Sequence, residues 1–176
     1  QIDYAYYLRA LANFEADKDA FLRFLPLSTA HRDLNSSRVA FENFKELVTR
    51  FPQSSFAPDA RQHMIFIRNQ LAENEMHAGR YYLNRGTYIS ALNRARWVVE
   101  NYPETPQAPE ALAITVYCYQ KLGMTDLADT SLTTLKANYP DLIDAKGRAK
   151  VDLGAQNEKR SWLNMATFNL IGRANQ

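Results

Sequence analysis

Residues 82–103 read Tyr-Leu-Asn-Arg-Gly-Thr-Tyr-Ile-Ser-Ala-Leu-Asn-Arg-Ala-Arg-Trp-Val-Val-Glu-Asn-Tyr-Pro, and their landmarks return further down the chain. Tyr82, Gly86, Ala91, Tyr102 and Pro103 recur as Tyr119, Gly123, Ala128, Tyr139 and Pro140, each 37 residues later. Each landmark has a task in a helix, turn, helix unit. A glycine ends the first helix in a left-handed conformation that a side chain would oppose. The small alanine lets two helices approach, and proline after tyrosine closes the second helix because it cannot continue one.

Working upstream, Ala40 precedes Pro52 by the same twelve residues that separate Ala91 from Pro103 and Ala128 from Pro140. That makes a third copy. The interval is close to the roughly 34-residue period of a tetratricopeptide array, so the fold expected is all-α, a tetratricopeptide-like helical-repeat superhelix. It divides into repeats at residues 1–52, 53–103 and 104–140, with a C-terminal extension over 141–176. Gly79, seven residues before Gly86, fits the close-approach position of a repeat's first helix.

The spacing of Ile2, Tyr4, Tyr7, Leu8, Leu11 and Phe14 predicts an amphipathic helix over residues 2–16. Residues 17–35 break that pattern and carry Pro26, which reads as a long inserted loop, either functional or packed down by Phe21, Phe24 and Leu25. Ser36 or Ser37 is expected to cap a helix with Val39, Ala40, Phe44, Leu47 and Val48 inward. A proline-free run from Pro58 to Arg85 predicts one helix of 28 residues, about 42 Å long. Thr87 to Asn101 should bury Tyr88, Ala91, Leu92, Ala95, Val98 and Val99, and Thr125 to Asn138 should bury Leu127, Ala128, Leu132 and Leu135. Beyond Pro140 the register is lost. The apolar group Trp162, Leu163, Met165, Phe168, Leu170 and Ile171 reads either as a capping helix or as an extension that docks elsewhere.

With 46% hydrophobic and 23% charged residues, the 176-residue chain can bury a core without staples. Its 21 basic and 19 acidic residues are interspersed, which argues against nucleic acid as a partner. No apolar stretch approaches the eighteen or so residues of a membrane span. Opening on Gln1 inside an amphipathic pattern, the sequence reads as a piece of a longer protein, with localisation signals expected upstream. Cys118 lies in an apolar run and reads as a buried small residue.

Catalytic chemistry finds little support. His31-Arg32-Asp33-Leu34 spells the start of a kinase catalytic loop, but the asparagine required five residues after the aspartate is Arg38. His31, His63 and His77 lack metal-ligand spacing, so no metal, cofactor or catalytic residue is expected. Arg80, Arg85, Arg94 and Arg96 gather around the central repeat. Arg94 and Trp97, with Asn93 and Asn101 nearby, lie three residues apart on a helix flank. An aromatic beside a fork-shaped cation is the pairing that dominates interfaces. The ordinary alternative has Trp97 packed on the next repeat and the arginines on a solvated face.

Several of these stretches together resemble the BamD family, the tetratricopeptide lipoproteins of the β-barrel assembly machinery in the Gram-negative outer membrane. They are residues 2–9, Arg32-Asp33 followed by Ala40, Phe41, Phe44, Leu47, Val48, Phe51 and Pro52, then Tyr81-Tyr82, Arg85-Gly86, Asn93-Arg94, and Asn101-Tyr102-Pro103 with Thr105. The likeness covers about residues 1–140 and includes both the long loop and the long helix. It implies the C-terminal part of a non-enzymatic scaffold at the periplasmic face of the outer membrane. The lipid-bearing cysteine that makes its membrane contact, and the repeats that meet unfolded outer-membrane proteins, are then expected upstream. It further implies that these repeats hold a POTRA domain of BamA, with accessory lipoproteins of the BamC and BamE type on neighbouring surfaces. Arg94 is implied to meet an acidic group of the POTRA domain, with Asn93, Arg85, Arg96 and Trp97 as neighbours. Arg94→Glu is accordingly expected to abolish binding and leave melting unchanged. Two departures stand out: His31 replaces an acidic residue of the family, and residues 141–176 extend past its pattern. The other reading of the repeats is a generic peptide-binding or oligomerising tetratricopeptide adaptor.

Overall fold

A computed structural model describes residues 2–22 and 34–152. Among these residues the chain forms six α-helices, α1 (Ile2–Leu22), α2 (Asn35–Arg50), α3 (Ala57–Asn84), α4 (Tyr88–Asn101), α5 (Ala108–Lys121) and α6 (Thr125–Asn138), then one 3-10 turn, Pro140–Leu142. They fall into two compact units. One holds the residues up to Asn74 with Glu104–Gln107, and the other holds Glu75–Pro103 with the chain from Ala108 onward.

The repeat landmarks do the same work in each copy. Ala40, Ala91 and Ala128 are buried, as are Leu47, Val98 and Leu135 five residues before the prolines. The amides of Phe51, Tyr102 and Tyr139 donate to the carbonyls of Leu47, Val98 and Leu135, each at 2.8 Å, and the following proline has no amide with which to extend the helix. Gly86 and Gly123 take φ of 74° and 73° after α3 and α5. The next amides, of Thr87 and Met124, reach back to the carbonyls of Tyr82 and Tyr119 at 3.0 Å, the hydrogen bonds that close a helix end around a left-handed residue.

Several local expectations are corrected. α1 runs on through residues 17–22, where no proline or glycine interrupts it, so the predicted loop begins later than residue 17. The remainder of that loop, 23–33, and the cluster at 162–171 lie outside the described residues. Ser37 is a buried residue inside α2, and Leu34 occupies the N-cap without a side-chain hydrogen bond, so neither serine caps the helix. Ile2, Leu8, Val39 and Leu127 are exposed instead of inward, because each points away from the face its helix buries, marked by Ala10 and Phe14 in α1, Ala40 and Phe44 in α2, and Ala128 and Leu135 in α6.

In the first unit the core is aromatic. Phe44 of α2 is fully buried, stacked on the His63 ring of α3 at 4.9 Å and 7°, with Phe14 and Tyr7 of α1 meeting it edge-on or tilted at 6.4 and 6.2 Å. The Tyr7 hydroxyl donates to Asp59, which also pairs with His63 Nε2 at 3.2 Å. That hydrogen bond, then burial and the carboxylate's charge, pushes Tyr7 up to about 12. An unconstrained tyrosine ionises near about 10. The folded value is the raised one, so the stabilisation from neutral Tyr7 is complete below about pH 10 and lost as pH rises towards 12. Denaturation midpoints of wild type and Tyr7→Phe should therefore converge between those pH values. Curves that stay parallel count against the Tyr7–Asp59 bond.

In the second unit, Gly79 of α3 faces α4. A Cβ built on it would lie 3.5 Å from the Arg94 Cβ and 4.0 Å from the Ala91 carbonyl oxygen. The helices are close, yet a methyl group fits at ordinary contact distance. Because glycine costs a helix interior about 0.5–1 kcal/mol relative to alanine, Gly79→Ala is expected to raise the denaturant midpoint. Gly79→Leu should lower it through overcrowding. In the same unit, Leu112, Ala113, Val116 and Leu135 form a core covered in part by Leu142, Ile143, Ala149 and Val151. Those last residues belong to a turn closed by an Ile143–Ala149 bridge. Asp144 holds the turn through the Lys146 and Arg148 amides and the Arg148 guanidinium, and these bonds, the Arg148 amide foremost, keep its carboxyl below the usual range. Cys118 is buried, and desolvation pushes its thiol up to about 11, so it stays protonated and unreactive.

Candidate interaction surface

α4 turns Ala91, Leu92, Ala95 and Val98 inward, which places the predicted surface residues around the rest of its circumference. Trp97 lies almost opposite the core and is 48% exposed, so it does not pack away on the next repeat. Asn93 is exposed one turn before it, and Ile89, also exposed, continues the same line. The Trp97 carbonyl accepts a hydrogen bond from Asn101 Nδ2 at 2.9 Å, which completes the last turn under the Tyr102-Pro103 stop.

The four arginines do not form one cluster. Arg94 projects from the flank of α4 nearest α3, where its Nη1 donates to Glu75 Oε2 at 2.8 Å. Glu75 is 7% exposed, whereas the Arg94 side chain is 47% exposed. Arg96 lies on the opposite flank. Its Nε and Nη2 both donate to Glu100, at 3.2 and 2.7 Å, and that pairing, followed by Tyr119, raises its already high pKa. Arg80 is held in a two-pronged pair, Nε to Glu110 Oε1 at 2.7 Å and Nη2 to Oε2 at 2.6 Å. Arg85, past the end of α3, lies over the Tyr81 ring at 4.8 Å from its centroid, and Tyr81 is itself half exposed.

These pairings differ in what they leave available. A guanidinium carries five donors, and the Nε/Nη2 edge matches a carboxylate in two parallel bonds. Among the described residues, three arginines of this unit pair with glutamates, and in Arg80 and Arg96 that edge is consumed. Arg94 is tethered by Nη1, with its Nε/Nη2 edge left over. Glu75 stands four residues after Leu71 on α3, a position that sequence reasoning did not single out. A carboxylate in register with the apolar Leu71 was the available signal, since a buried acid requires a cation.

The sequence matches the family described as YfiO, outer membrane lipoprotein, over residues 1–135. The chain belongs to that family. Three relatives, each named outer membrane protein assembly factor BamD, illustrate the range. The protein of Neisseria meningitidis serogroup A is 40% identical over 139 residues, 79% of this chain and 52% of its own length. That of Xylella fastidiosa strain Temecula1 is 36% identical over 147 residues, 84% of this chain and 50% of its own. The Vibrio cholerae protein is 31% identical over 138 residues, covering 78% and 57%. The chain thus spans about half the length of the curated relatives it matches. The YfiO match takes in all of α4 with Arg94, and it stops at Leu135, short of the bridged turn.

Proposed function

We propose that this YfiO-family chain is part of a non-enzymatic scaffold for outer-membrane protein assembly. It works at the periplasmic face of the outer membrane, anchored through a lipidated residue upstream of Gln1. In this reading the Arg94 flank of α4 docks on an acidic group of the BamA POTRA region, and neighbouring surfaces serve accessory lipoproteins of the BamC and BamE type. Support for the setting comes from the family's description as an outer membrane lipoprotein and from relatives named assembly factors. The observation that carries the choice of Arg94 is its half-exposed guanidinium with an unconsumed Nε/Nη2 edge, on the same outer surface as exposed Asn93 and Trp97.

The mechanism is orientation without covalent chemistry. A charge pair at the docking surface sets register, and truncating one partner of such a pair typically costs about 2–5 kcal/mol. The test is co-purification of a POTRA-bearing fragment with the wild-type chain and with Arg94→Ala. Capture by wild type and loss in the variant is the expected result. Equal capture by both would overturn the assignment of Arg94.

A further inference from the structure

We infer that Glu75 is a positioning residue for docking. From α3 it holds one end of the Arg94 guanidinium, so that the other end faces outward, already oriented for a carboxylate of the partner. The inference rests on the reading of Arg94 as the docking residue.

Three observations combine. Glu75 is almost wholly buried, so its carboxylate has little freedom to follow a mobile cation. Gly79 of α3 faces the Arg94 Cβ so closely that a Cβ added to the glycine would lie 3.5 Å from it, so the stem of Arg94 starts against the helix that carries Glu75. The bond between them uses Nη1, and among the described residues it is Arg94's one hydrogen bond, which leaves Nε and Nη2 for a second, two-pronged carboxylate. A long cationic side chain loses rotamer freedom when it binds, at a cost that a pre-existing tether removes in advance. Glu75 thereby fixes where an acidic group must lie to be accepted, which is a determinant of partner specificity as well as of affinity.

The experiment measures association and dissociation rates of the 176-residue chain with a POTRA-bearing fragment. Glu75→Gln keeps the shape and an acceptor for Nη1 but removes the charge that holds it. Its dissociation rate is expected to rise about threefold to tenfold, the range for freezing one rotamer-rich side chain. In an Arg94→Ala background the same change should add nothing. A purely structural role would lower the fraction of folded chain without altering the dissociation rate. An unchanged rate in Glu75→Gln, alongside impaired Arg94→Ala, overturns the positioning role and leaves the docking role standing. Unimpaired Arg94→Ala overturns both. Arg94→Lys supplies a second arm whose folding does not depend on altering Glu75. Lysine can reach Glu75 but has no second edge, so it should dissociate as fast as Arg94→Ala, and wild-type behaviour would sink the inference.

Discussion

Arg94→Glu is expected to do two things at once: release the POTRA fragment and lower the melting temperature by on the order of 10 °C. The first effect follows from reversing the docking charge. The second follows from Glu75. Two carboxylates about 4 Å apart repel by about 4 kcal/mol at the effective dielectric of a protein surface. Because the Arg94 position is half exposed, water and salt reduce this to about 2–3 kcal/mol. At about 4–8 °C per kcal/mol for a unit of this size, the fall is easily measured by thermal circular dichroism. Local reading of α4 predicts unchanged stability, since an exposed arginine on a helix flank contributes little. What reverses that expectation is the buried acid on α3. Arg94→Gln, which removes the cation without adding a charge, should fall between the two. A melting curve for Arg94→Glu that overlays wild type would show that the Glu75 pair contributes nothing in solution, and would weaken the positioning role of Glu75 with it.

Phe44→Ala should be the most damaging single truncation in the first unit. The ring is fully buried, and its removal opens a cavity between α1, α2 and α3 while leaving the faces of Phe14, Tyr7 and His63 without their partner. Large-to-small changes of this kind cost about 3–5 kcal/mol, and lost aromatic pairs account for about 0.5–1.5 kcal/mol each within comparable sites. Phe44→Leu, which keeps most of the buried volume, should cost about 1–2 kcal/mol. Urea denaturation of the three proteins checks the order. Equal midpoints for alanine and leucine would mean that ring stacking, not volume, sets the stability at this position.

The ends of the helices were legible because they are governed by groups within a few residues of one another. Gly86 and Gly123 take the left-handed conformation that a side chain would strain, and the prolines at 52, 103 and 140 stop α2, α4 and α6. The length of α3 was readable for the same reason, as nothing between Pro58 and Asn84 interrupts it. A further local signal is the asparagine immediately before two Tyr-Pro pairs: Asn101 and Asn138 each donate to the carbonyl four residues back. That repeated asparagine belongs to the helix stop as much as the proline does.

Inward and outward faces were only partly readable. Periodicity marks a stripe on a helix, but which edge of the stripe is covered depends on the angle at which neighbours cross it. Leu127 therefore satisfies the spacing of α6 and still stands 51% exposed, while Ala128 beside it is buried.

By itself, the sequence determined that this chain is built from helix pairs, where each pair turns and stops, and that small residues stand where helices approach. It also placed Arg94 beside Trp97 on α4. Tertiary structure alone decided which carboxylate each arginine meets. Arg94 joins Glu75 across 19 positions and Arg80 joins Glu110 across 30, separations over which no helical periodicity operates. A charge pair forms only where two helices bring a donor and an acceptor within about 3 Å. That meeting is set by the packing of Gly79 against α4, and it distinguishes the arginine with an edge left for a partner from those whose forks are consumed.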